Sequence, residues 1–125
     1  MIKRSVFLFI LVSLLWACGG MSDPPEEILG QWKTHEWTID QTGARISGKM
    51  DFTFDKDGGY QVDYGTQKEI GVFRVDGDRL YTTENGQARK YVKIKKLTKD
   101  SLIFGMNRAG RLETVVLIKS KKENG

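Results

Sequence analysis

Apolar and polar residues alternate over long stretches of this chain. Between positions 46 and 55 the small and apolar residues occupy every second place: Ile46, Gly48, Met50, Phe52 and Phe54. The same period returns at Tyr60, Val62 and Tyr64. A period of two is typical of a β-strand with one face buried and the other in water. No segment after position 18 has the period of an amphipathic helix, so the pattern predicts an all-β domain.

Turn signals separate the alternating segments at short intervals. The clearest lie at 57–59, 76–78, 85–86, 99–100 and 107–110. Asn-Gly and Asp-Gly between such segments predict tight hairpins, because glycine adopts the positive φ that these turns require. The turns divide the chain into eight predicted strands: 30–39, 45–55, 59–64, 68–75, 79–84, 88–97, 101–106 and 111–119.

Eight short strands joined by tight turns predict an antiparallel up-and-down meander. A flat meander would leave two exposed edges, which pair readily with other chains. Closure of the first strand onto the last removes both edges, so we expect a small closed β-barrel. A two-layer β-sandwich is the alternative arrangement.

The first seventeen residues have the layout of a secretory signal peptide. Lys3 and Arg4 precede an apolar run from Val6 to Trp16. A run of about a dozen residues is too short to cross a bilayer core of roughly 30 Å as a helix. A charged start, a short apolar middle and a small residue at the end are the three parts of an export signal.

The sole cysteine, Cys18, follows this run directly, and Leu15-Trp16-Ala17-Cys18 resembles a bacterial lipobox. We expect cleavage before Cys18 and attachment of fatty acyl chains to it, which would anchor the protein in a membrane. Gly19 favours the outer membrane, on either its periplasmic or its surface side. Ordinary secretion with cleavage after Gly19 is the alternative.

These features predict four parts in the chain. Residues 1–17 form the signal peptide, 18–27 a lipidated tether rich in glycine, proline and acid, 28–119 the barrel, and 120–125 a flexible tail. With its one cysteine lipidated, the domain has no disulfide and depends on apolar packing. We expect a monomer.

Charge is distributed unevenly along the chain. Residues 18–85 carry thirteen Asp and Glu against seven Lys and Arg, whereas residues 86–125 carry three against eleven. One side of a meander barrel would therefore be basic and the other acidic, which could orient the domain toward an anionic surface or partner. Lysines crowd the sixth predicted strand, and solvation together with protection against edge pairing is the preferred explanation for them. A nucleic-acid partner does not fit an exported protein.

Residues with the potential for catalysis are sparse. His35 is the only histidine, and a metal site or catalytic triad needs partners that the sequence does not supply. Asp55-Lys56-Asp57-Gly58-Gly59 begins like a calcium loop, but it lies between strands and is better explained as a hairpin turn. We therefore expect no enzymatic activity, no metal and no cofactor.

Several segments resemble lipocalins and the small lipocalin-like lipoproteins of Bacteroidota. Leu29-Gly30-Gln31-Trp32-Lys33 is similar to their Gly-x-Trp opening, and the stretches 50–60, 91–102 and 116–119 resemble their hairpins and closing strand. The resemblance implies a lipocalin-like barrel over about residues 28–119, with Trp32 buried at its floor. It also implies a small apolar or amphipathic ligand.

Aromatic residues are spread over the strands and would face the interior of a small barrel. An eight-strand barrel is just wide enough to be filled by side chains or to hold one small ligand. Trp37, Phe52 and Tyr60 are the candidate pocket residues, because aromatic walls with a polar tip suit an amphipathic guest. The alternative function is a non-catalytic structural or protein-interaction module of the outer membrane with a filled barrel.

Overall fold

Residues 23–120 are described by a computed structural model, and within them the domain is all β. A 3-10 turn, Glu26–Ile28, precedes eight strands. The strands are β1 Gly30–Ile39, β2 Asp51–Phe54, β3 Gly59–Asp63, β4 Lys68–Asp76, β5 Arg79–Glu84, β6 Lys90–Leu97, β7 Ser101–Arg108 and β8 Arg111–Lys119. No helix within this range has the length and apolar composition that crossing a bilayer requires.

Each strand pairs antiparallel with the next, and β1 pairs with β8 to close a barrel. The prediction of a closed eight-strand meander is confirmed, and the β-sandwich alternative is wrong. Interior positions follow the alternation seen in the sequence: Phe52 and Phe54 of β2, and Tyr60 and Val62 of β3, are all buried. The turn at 55–58 is held by Asp55, whose Oδ1 accepts hydrogen bonds from the amides of Asp57 and Gly59.

The second strand is much shorter than the predicted 45–55. β1 pairs with β2 only from Gly30 to Trp32, because the side chain of Thr34 interrupts the ladder. The Met50 amide donates to Thr34 Oγ1 at 2.7 Å, and the Thr34 amide donates to Asp51 Oδ1 at 2.9 Å. Residues 40–50 therefore run beside β1 as an irregular segment, with one isolated bridge between Thr38 and Arg45.

One end of the barrel is closed by the 3-10 turn. Ile28 is fully buried there, and its carbonyl accepts a hydrogen bond from Trp32 Nε1 at 2.8 Å. Lys119 Nζ lies 4.6 Å from the centre of the Trp32 ring and donates to the Leu29 carbonyl. This turn includes the last two residues of the predicted tether, Glu26 and Glu27, which are exposed, and its one buried residue is Ile28.

The aromatic core lies between this closed end and the middle of the barrel. Phe52 stacks on Phe54 at 5.2 Å between ring centres and meets the edge of Phe104 at 5.7 Å. Phe54 in turn meets Phe73 at 4.7 Å. These rings form a continuous aromatic cluster inside the barrel, and all four are buried.

Candidate functional site

A cavity of about 360 Å³ occupies the end of the barrel opposite Trp32. Most of its walls are apolar and come from strands on every side: Trp37, Met50, Phe52, Val62, Leu80 and Phe104. Polar groups reach it from two clusters, each built around one buried glutamate. This combination of apolar walls and a few placed polar groups is typical of a small-molecule site.

The first cluster surrounds Glu69 on β4. Its Oε2 accepts a hydrogen bond from the Tyr60 hydroxyl at 2.5 Å, and its Oε1 accepts one from the Tyr64 hydroxyl at 2.7 Å. Lys90 Nζ lies 3.5 Å from the same Oε2 and forms an ion pair with it. Glu69 faces the interior because it shares the inward-facing positions of β4 with Gly71 and Phe73.

The second cluster surrounds Glu113 on β8, a carboxylate with no exposed surface. Trp37 Nε1 donates to its Oε1 at 2.9 Å, and Arg111 Nε donates to its Oε2 at 2.8 Å. Arg108 Nε lies 2.9 Å from Oε1, so the carboxylate has three partners: Trp37, Arg111 and Arg108. The Arg108 guanidinium also lies over the Trp37 ring, 5.3 Å from its centre.

Both carboxylates are held in the charged form by their neighbours. Burial by itself would raise the pKa of Glu113, but contacts with Trp37, Arg111 and Arg108 outweigh it and lower the pKa below the ordinary value. The same balance of burial against Tyr60, Tyr64 and Lys90 lowers the pKa of Glu69. Burial and the adjacent carboxylate raise the pKa of both tyrosines, so their hydroxyls remain donors.

The wall of the barrel opens beside the cavity, between β6 and β7. Their ladder ends at the pair Lys93 and Gly105, although both strands continue toward the cavity end. A surface groove of about 640 Å³ lies outside this gap. The groove and the cavity share four lining residues: Tyr91, Val92, Met106 and Asn107. The end of the β6–β7 ladder therefore lies where the interior cavity and the outer groove adjoin.

A family model described as a lipocalin-like domain matches residues 28–104 of the chain. The chain belongs to the lipocalin-like domain family. The lipocalin-like barrel is also similar to the crystal structure of a lipocalin-like protein from Bacteroides uniformis ATCC 8492, with a TM-score of 0.60 and 12% identity. That match covers 75% of this chain and 99% of the other, and at this identity it shows the fold alone. No curated protein matches the chain.

Two of the three predicted pocket residues, Trp37 and Phe52, line the cavity of the lipocalin-like barrel. Tyr60 lies beneath it and contributes its hydroxyl to Glu69. His35 lies at the irregularity of β1 and is exposed, apart from both clusters. Within residues 23–120, no group of three or more His, Cys, Asp or Glu is placed to hold a metal ion. The predicted lipid-attachment residue, Cys18, lies outside the described residues, as does most of the predicted tail.

Sequence reasoning missed both glutamates of the site, because it assigned most carboxylates to the outer face. The alternation of inward and outward positions nevertheless indicated that both side chains face the interior. Glu69 is two positions from Gly71 and four from Phe73, and Glu113 precedes Val115 and Leu117 at the same spacing. A carboxylate in register with an inward-facing series is a buried carboxylate, and it then requires donors from elsewhere in the barrel.

Proposed function

We propose that this protein is an envelope lipoprotein whose lipocalin-like barrel binds a small amphipathic ligand. The observation that carries the proposal is the cavity of about 360 Å³ above the aromatic core. Sites for small molecules begin at roughly 300 Å³, so the space is sufficient for one modest ligand. Apolar walls suit the body of such a ligand, and the two glutamate clusters supply polar groups near the mouth.

The anchoring half of the proposal comes from the sequence before the barrel. Lys3-Arg4, the short apolar run and Cys18 support export, cleavage and lipidation, and Gly19 supports the outer membrane as the destination. The chain enters the barrel at its closed end, through the turn Glu26–Ile28. A lipid on Cys18 would thus be attached on the side away from the cavity.

An interaction module remains the second candidate because of one feature on the outer face. Tyr81 and Tyr91 pack at 5.7 Å between ring centres, with Arg79 and Arg89 over their faces. Exposed aromatic and arginine side chains are enriched where proteins bind one another. In that reading the barrel would be a scaffold and the cavity would have no guest.

Tryptophan fluorescence distinguishes the two candidates. Residues 18–125 contain two tryptophans, Trp37 on the cavity and Trp32 at the closed end. A Cys18→Ser, Trp32→Phe protein should show a saturable change in Trp37 emission when titrated with decanoate, decan-1-ol or decyltrimethylammonium. The matched Cys18→Ser, Trp37→Phe protein should respond little, because its remaining tryptophan is packed beneath the core. If none of the three probes binds, the interaction module becomes the better account.

Mass spectrometry of the protein from its own cells tests both halves of the proposal. An acylated amino terminus at Cys18 would support the anchor, whereas an unmodified terminus at Gly20 would refute it. Native spectra should show a small molecule that copurifies with the barrel and is lost on mild denaturation. The measurement also gives the mass of the monomer that we expect.

A further inference from the structure

The two polar clusters at the cavity carry different net charges. Among residues 23–120, one cation, Lys90, lies beside Glu69, whereas two, Arg108 and Arg111, lie beside Glu113. Both carboxylates are ionised, so the first cluster is neutral and the second has one positive charge in excess. Both guanidinium groups are about half exposed, and that of Arg108 belongs to a side chain that lines the cavity.

The carboxylate oxygens are already occupied. Glu69 receives both tyrosine hydroxyls and Lys90, and Glu113 receives Trp37 on Oε1 and Arg111 on Oε2. A cationic ligand would have to displace these donors, because a buried carboxylate loses stability when it exchanges a fixed partner for a poorer one. The acidic groups of the cavity are thus unsuited to bind a cationic head group.

Arg108 differs from these carboxylates, because most of its hydrogen-bonding groups have no partner within residues 23–120. Its Nε faces Glu113 at 2.9 Å, and within residues 23–120 its terminal nitrogens donate no hydrogen bond. The side chain lines the cavity, and contacts with Glu113 and the Trp37 ring hold it in place. A guanidinium fixed along one edge presents its remaining N–H groups in a planar fork that matches a carboxylate, sulfonate or phosphate.

We propose that the cavity selects amphipathic anions, with the anionic head on Arg108 and the apolar body against Phe52, Leu80 and Phe104. The inference rests on the proposed ligand-binding function and names the chemical class of the ligand. The positive charge of Arg111 adds electrostatic attraction for the anionic head group, and Glu113 positions both guanidinium groups. The head group lies at the mouth in this arrangement, so a charge need not be buried deeply without a partner.

Calorimetric titration with three probes of equal chain length tests the selectivity. In the Cys18→Ser protein near neutral pH, decanoate should bind about tenfold or more tightly than decan-1-ol, and decyltrimethylammonium should bind most weakly. The advantage of decanoate over decan-1-ol should shrink as the salt concentration rises. These comparisons need no change in the barrel, so they hold even if a variant fails to fold.

Substitutions then locate the head group. Arg108→Gln should remove about tenfold of decanoate affinity while leaving decan-1-ol nearly unaffected, and Arg108→Lys should retain part of the preference. Arg74→Gln is the matched control, since Arg74 lies on the outer face of β4 over Tyr81. Thermal unfolding of each variant checks that the barrel is intact.

The outcomes separate this inference from the function on which it rests. Equal affinity for decanoate and decan-1-ol would overturn anion selectivity while leaving ligand binding in place. Tighter binding of decyltrimethylammonium, or an unchanged decanoate preference in a folded Arg108→Gln protein, would also overturn it. Absence of binding by all three probes would overturn both proposals together.

Discussion

Two interior glutamates give this small barrel its most unusual chemistry at the level of single residues. A buried charge is costly unless it is paired and hydrogen-bonded, and both carboxylates meet that condition. Glu113 does so with Trp37, which is 76 residues away in the chain, and with two arginines from the adjacent hairpin. Four of the side chains that satisfy these charges also line the cavity: Trp37, Tyr64, Lys90 and Arg108.

Acid should weaken the barrel through Glu113. Its pKa is lowered below the ordinary 4.5 in the folded state, so the native state binds fewer protons than the unfolded state. The stability that it contributes is present above the ordinary pKa and is lost as the pH falls through the folded value. Glu113→Gln should therefore flatten the dependence of urea unfolding on pH between about pH 7 and about pH 3.

The control for this experiment is Glu26→Gln, which removes an exposed carboxylate from the 3-10 turn. It should retain the steep acid dependence of the parent protein. A Glu113→Gln profile that parallels the parent over the whole range would contradict the assignment. Glu69, whose pKa is also lowered, should leave a residual acid dependence in the variant.

At the level of elements, two neighbouring strand pairs differ in how they meet. β4 and β5 approach so closely at Gly71 that a Cβ atom there would lie 2.0 Å from the carbonyl oxygen of Thr83. The pairing of β6 with β7 instead ends at Lys93 and Gly105. The first is a close backbone contact, and the second leaves residues 90–92 of β6 without partners on β7.

Gly71→Ala should be strongly destabilising, because the backbone of β5 cannot move away as a side chain could. Overpacking of this kind costs roughly 1–3 kcal/mol or more. The matched control is Gly105→Ala, whose Cβ would lie 2.9 Å from the flexible end of Lys95 and should be accommodated within about 0.5 kcal/mol. Urea unfolding of both variants measures the difference, and equal losses would refute the close approach.

The divergence of β6 and β7 should be visible in hydrogen exchange. Residues 80–82 of β5 pair with strands on both sides, whereas residues 90–92 of β6 pair with β5 alone. Amides with fewer fixed neighbours open more readily, so we expect faster exchange at 90–92 than at 80–82. Bound decanoate should slow exchange at 90–92, and equal protection of the two segments in the free protein would contradict the gap.

For the whole molecule, the barrel combines a packed base with an open and polar mouth. Ile28 and Trp32 from the start of the domain and Lys119 from its end together seal the base. The adjoining strands β6–β8 carry seven Lys and Arg against one Glu, whereas β1–β5 carry six Asp and Glu against four Lys and Arg. A barrel arranged in this way can be stabilised by one half of its interior while the other half remains available to a guest.

Truncation of Trp32 should test how far the base supports the fold. Trp32→Ala removes a fully buried ring and its hydrogen bond to Ile28, and we expect a loss of roughly 3–5 kcal/mol in unfolding free energy. Trp37→Phe keeps most of the ring volume near the mouth and should cost clearly less. A Trp32→Ala loss below about 1 kcal/mol would show that the base is not part of the core.

Most of the fold was predictable because its signals are local. Alternation reports which face of a strand is buried, and Asn-Gly or Asp-Gly turns report where the chain reverses. These two signals placed all eight strands and their order. The ends of β2 were wrong because Thr34 and Asp51 replace ladder hydrogen bonds with side-chain ones, and that choice depends on residues 17 positions apart.

The site was predictable only in part, for a related physical reason. The pattern placed Trp37, Phe52 and Tyr60 inward, since an inward position is a local property. It could not show that Trp37 meets Glu113, that Tyr60 and Tyr64 converge on Glu69, or that Arg108 contacts Glu113 while lining the cavity. The cavity itself is the volume that side chains from several strands together leave unfilled, so only the closed tertiary structure could determine it.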